Sequence, residues 1–128
     1  MFGKKIKLTA TVDIFTFTDG KTDFCVDTKI FLDPEGLIAG VGSKPTDTGN
    51  YEEVKLFEGL ENSFDFLIAA VHHGLQQFRG RFRILPSHVD VYVSQDLVSL
   101  LRGFERPIFE QVCREACAST ASVYRTPP

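Results

Sequence analysis

From Ile6 to Ile14 apolar and polar positions alternate, with Ile6, Leu8, Ala10, Val12 and Ile14 set against Lys7, Thr9, Thr11 and Asp13. A period of two belongs to a strand with one buried face, so this run predicts the first strand. Asp19-Gly20 supplies residues that tolerate positive φ in a tight turn. The alternation resumes at Phe24, Val26, Thr28, Ile30 and Leu32, which predicts a second strand antiparallel to the first. Asp33-Pro34-Glu35-Gly36 forms a further turn, with proline where its fixed φ suits and glycine to close it. The short run Leu37 to Val41 then completes a three-stranded meander.

Residues 43–51 carry no periodicity and read as a flexible polar loop, and Val54 to Phe57 fit either a strand or a helix. Asn62 or Ser63 is placed to cap a helix in which Phe64, Leu67, Ile68, Val71, Leu75 and Phe78 share one stripe, with Gly80 as its stop. Val89, Val91 and Val93 predict a central β-branched strand. A helical segment follows over Ser94 to Arg102. Pro107 suits the first turn of another helix, running to Ala118 with Ile108, Val112, Glu115 and Ala116 in register. Ser122 to Arg125 is a closing strand. The order β-β-β-α-β-α-β predicts an α/β fold: a mixed sheet with parallel crossovers, covered by helices, in the manner of a ribonuclease-H-like half domain. A chain of 128 residues is expected to form one such domain over 1–128.

Composition narrows the setting. The formal charge of −3, spread over both signs, lacks the concentrated positive face a nucleic-acid binder needs. Three cysteines, Cys25, Cys113 and Cys117, do not make the even framework of a secreted module, which points to a reducing cytosol. No apolar run approaches the ~18 residues that cross a bilayer, so a cytoplasmic protein without a transmembrane segment is expected.

Candidate chemistry is scattered. Asp13 with Asp65 and Asp96 would resemble the carboxylate set of a two-metal nuclease, although solvated carboxylates explain them more simply. Cys113 and Cys117 share a helical face but lack a second pair to complete a zinc site, so core packing is expected. His72 and His73 point in different directions on their helix. Arg79, Arg81 and Arg83 surround a helix exit and read as a solvated positive rim. The 43–51 loop lacks the glycine and lysine spacing of a phosphate cradle.

With this order in place, the chain resembles the first large-domain half of the actin-like, MreB-type rod-shape-determining family. The resemblance rests on Met1-Phe2-Gly3, on Val12-Asp13-Ile14 followed by Thr16, on Gly36 to Gly42, and on Pro86 to Val93. It continues over Phe104-Glu105-Arg106, through Ala116-Cys117-Ala118, to Ser122-Val123-Tyr124. It implies Asp13 and Thr16 as the relic of a phosphate loop that turns in the family through Asp-Leu-Gly-Thr. Here Phe15 stands in the glycine's place. Thr126-Pro127-Pro128 falls about where the family's second half would begin, so the second phosphate loop and adenosine pocket are expected to lie outside the chain. The expected function is that of a non-catalytic actin-like module in a cell-shape or filament system, binding a protein partner or itself through Phe15, Phe17 and Phe31. No cofactor is expected. The alternatives are half of an ATPase with ATP and magnesium, completed by another chain, and an unrelated small adaptor.

Overall fold

The computed structural model describes residues 5–47, 49–57, 63–78, 88–116, 118 and 120–126. Among these residues eight strands and three helices follow in order: β1 Lys5–Ala10, β2 Ile14–Thr18, β3 Asp23–Asp27, β4 Lys29–Leu32, β5 Ile38–Val41, β6 Glu52–Lys55, α1 Ser63–Gln76, β7 His88–Val93, α2 Gln95–Leu100, α3 Glu105–Glu115 and β8 Thr120–Arg125. A five-stranded mixed sheet has the order β3-β2-β1-β7-β8, and a three-stranded sheet has the order β5-β4-β6. In the larger sheet β1, β7 and β8 run parallel, while β2 is antiparallel to β1 and β3 to β2.

Two expected strands are each divided. The alternation over Ile6 to Ile14 contains a reversal at residues 11–13, so β1 and β2 are partners rather than one strand. Thr11 closes that turn without glycine or proline. Its amide and hydroxyl both donate to the Ile14 carbonyl, at 3.0 and 2.8 Å, and the hydroxyl accepts from the Ile14 amide at 3.0 Å. The second run divides at Thr28. β3 stays with β2 across the Asp19-Gly20 turn, whereas β4 leaves to pair with β5 and β6 in the smaller sheet. The expected single meander is therefore spread over two sheets. Gly36, at φ 84°, closes the Asp33 turn as its composition implies. Val54 falls in β6, and the 43–51 segment contains no strand among its described residues.

The core lies on one face of the larger sheet. Ile6, Leu8, Ala10, Phe15, Phe17, Val89, Val91 and Val93 are fully buried there, against Leu67, Val71 and Leu75 of α1 and Phe109, Val112 and Cys113 of α3. Phe66 and Ala70 are buried on α1 and Phe64 is 41% exposed, so the stripe is rotated from the predicted one. Where α1 crosses β2 it carries Gly74, and a Cβ there would lie 2.1 Å from the Phe17 ring. Only a residue without a side chain permits that approach. Ser94 caps α2, accepting from the Leu97 amide at 3.4 Å. The predicted Gly80 stop, the Asn62 cap and the segments Met1-Phe2-Gly3 and Pro86-Ser87 lie outside the described residues.

The opposite face of this sheet carries no helix among the described residues. It presents Lys5, Lys7, Thr9, Thr16, Cys25, Asp90, Tyr92 and Tyr124, all half-buried or exposed. Parallel strands are usually apolar on both faces because both are covered, so this polar face is a departure.

Candidate functional site

In open α/β sheets ligands gather outside the carboxyl ends of parallel strands. Here that end carries a cleft of about 450 Å³, where the β1–β2 turn meets the smaller sheet. Val12, Phe57 and Leu100 supply its apolar lining, and Asp13, Asp27, Thr28, Lys29 and Lys55 supply the polar lining. Thr28 is its keystone. Its hydroxyl donates to the Val12 carbonyl at 2.6 Å and its amide to the Asp13 carbonyl at 3.2 Å, while its own carbonyl accepts from the Leu56 amide at 2.9 Å. A buried threonine thus pins the turn, β4 and the end of β6 together, and its polar groups are satisfied.

The hydroxyl and amide of Thr28 and those of Thr11 all donate to carbonyls of the chain itself. A phosphate-binding turn does the opposite, leaving hydroxyls and amides to converge on the anion. The 11–13 turn also lacks a glycine that would let a phosphate reach the backbone, and it exposes the Asp13 carboxylate.

Of the residues expected at a phosphate-loop relic, only Asp13 reaches this cleft. Thr16 lies within β2, beside Cys25 (Oγ1 to Sγ 3.7 Å), and does not line the cleft. Phe15 is not in the turn. It is fully buried in β2, with its ring 6.1 Å from Phe57 and 6.2 Å from Phe109. The turn sits upstream of the residues matched to it, so Phe15 fills the core rather than obstructing a phosphate. The expected contact patch is corrected for the same reason: Phe15 and Phe17 are fully buried and Phe31 is 7% exposed.

Among the described residues no group of three or more His, Cys, Asp or Glu is placed to hold a metal ion, so Asp13, Asp65 and Asp96 are not assembled. His72 touches Gln76 at 3.3 Å. His73 packs on Phe24 at 5.8 Å, and burial, with His72 beside it, holds its imidazole below the ordinary pKa. Burial pushes the Cys113 thiol up to about 12, which makes it an inert core group. Cys117, Arg79, Arg81 and Arg83 lie outside the described residues. In the polar loop Asp47 accepts from the Gly49 amide at 3.0 Å and from the Tyr51 hydroxyl, and these bonds, the Tyr51 one foremost, lower its pKa.

Two features had no clear forerunner in the sequence. On the open sheet face, burial alone would raise the Asp90 pKa, but His88 at 2.9 Å and Lys5 at 3.2 Å hold it below the usual range. Tyr92 and Tyr124 stack beside them with centroids 5.0 Å apart, and Lys7 lies 4.9 Å over Tyr92. At the start of α3, buried Glu105 accepts from Arg125 Nε at 3.1 Å. No described helix is long and apolar enough to cross a membrane.

No protein-family profile and no curated relative matches the chain. Solved structures do match. A non-polymerising mutant of MamK bound to AMPPNP superposes on 98% of this chain with a TM-score of 0.73 at 8% identity. MreB 5 of Spiroplasma citri bound to AMPPNP superposes on 94% with a TM-score of 0.58 at 12% identity. The chain therefore has the actin-like, ribonuclease-H-like half-domain fold. It spans 42% and 38% of the lengths of those two proteins.

Proposed function

We propose that this half-domain works by protein contact in a filament or cell-shape system and does not itself bind and hydrolyse ATP. The observation that carries the reading is the turn at 11–13, where the amides and hydroxyls of Thr11 and Thr28 donate to the chain's own carbonyls. The filament setting draws on the two structural neighbours, one described as a non-polymerising mutant, and both bound to an ATP analogue. The free thiols of Cys25 and Cys113 fit a reducing cytosol.

A second reading keeps the nucleotide: half of an ATPase whose site is finished by another chain. Lys29 and Lys55 lining the cleft favour it, since ammonium groups suit phosphates. Asp13 and Asp27 in the same cleft oppose it. Calorimetric titration with magnesium ATP separates the two. No binding tighter than about 1 mM, or roughly 4 kcal/mol, is expected, and a saturable isotherm below that value would favour the second reading.

A further inference from the structure

The two outer edges of the larger sheet are built differently. β3 closes one end with Asp23 and Asp27 exposed along it, the kind of charged flank that discourages stray strand pairing. β8 closes the other end with the sequence TASVYR, which has neither proline nor an acidic residue. Among the described residues no strand pairs with its outer side.

Three cavities of about 220, 280 and 580 Å³ follow that edge in order. The first and second share Glu110 and Ala121, and the second and third share Arg106, Val123 and Tyr124, so they form one groove. Its inner wall is β8. Ala121 and Val123 leave one face of that strand and Ser122 and Tyr124 the other, yet all four line the middle cavity, which therefore straddles the edge itself. The outer wall is α3, where Arg106, Glu110 and Arg114 recur at intervals of four and share a stripe.

We propose that this groove receives an extended segment of a partner protein, which adds to β8 as a sixth strand. The inference rests on the protein-contact reading above and specifies the partner's chemistry. A strand lying between an open edge and a helix gains main-chain hydrogen bonds from the edge and selectivity from the helix. The helix spells basic, acidic, basic. Residues four apart on a helix are separated by ~6 Å, and residues two apart on a strand, which face the same way, by ~6.6 Å. The spacings match over all three positions, so the segment that fits carries acid, base, acid at alternate residues. Arg125 at the groove's end adds a further positive charge, partly offset by Glu105.

The test uses two fluorescein-labelled peptides, Thr-Glu-Val-Lys-Val-Glu-Thr and its charge-swapped twin Thr-Lys-Val-Glu-Val-Lys-Thr, titrated by fluorescence anisotropy. The first is expected to bind at least about tenfold more tightly, and the triple variant R106E/E110R/R114E is expected to reverse that preference. Amide hydrogen exchange is expected to slow at residues 121–125 in the complex. Equal binding of the twins, a preference the variant leaves unchanged, or protection elsewhere would overturn the groove. The magnesium ATP titration fails separately: nucleotide binding with the peptide preference intact would unseat the proposed function and leave the groove standing.

Discussion

The variant Phe15→Asp is expected to leave no folded population at 25 °C. Phe15 is fully buried between Phe57 and Phe109. Removing a buried aromatic ring costs about 3–5 kcal/mol through lost transfer energy and the cavity left behind. The introduced carboxylate meets apolar neighbours, and burying it without a partner adds several kcal/mol or forces its protonation. A domain of this kind is stable by about 5–15 kcal/mol in all, so the sum is of the same order as the total stability. Circular dichroism and the loss of a cooperative thermal transition would register it. A surface role for Phe15 makes the opposite forecast, a folded protein whose association alone is weakened, and a folded Phe15→Asp would show that the ring does not belong to the core.

Gly74→Ala ranks second. Alanine is the better helix former by about 1 kcal/mol, so on an exposed helix face the change would stabilise. At this crossing the new methyl would meet Phe17 ring atoms at 2.1 and 2.2 Å, well inside contact distance. Phe17 is fully buried, so its ring has no solvent to retreat into. Overpacking of this kind costs about 1–3 kcal/mol and exceeds the propensity gain. The melting temperature is expected to fall by a few degrees, and Gly74→Ala with Phe17→Leu is expected to recover part of the loss. An alanine variant as stable as the parent would mean that α1 stands further from β2 than described.

The elements from α1 to β8 and two of the early turns were legible because their carriers were local. Val89, Val91 and Val93 kept a clean period, Ser94 supplied a cap, and Asp19-Gly20 and Asp33 to Gly36 used ordinary turn chemistry. The reversal at residues 11–13 was hidden because Thr11 makes it with a hydroxyl, and because Val12 and Ile14 preserve the alternation straight through it. That single miss displaced the phosphate-loop match by several residues and set Phe15 in a turn it does not occupy. Thr28 was hidden in the same way, read as one more position of a continuing strand although it is where the chain changes sheets. β6 offered one apolar residue in Glu52–Lys55, too few to define a period. The groove was beyond local reading altogether. Arg106, Glu110 and Arg114 look like any solvated helical stripe until β8 is placed beside them.

The turn at residues 11–13 bears most directly on whether this half-domain has abandoned nucleotide. Titrating magnesium ATP into ¹⁵N-labelled protein, with the backbone amide signals of Val12, Asp13, Thr28 and Lys29 assigned, reads that turn itself. Those signals are expected to stay fixed up to about 1 mM nucleotide. Saturable shifts centred on Val12 and Asp13 would place a phosphate against the turn and contradict the non-catalytic reading.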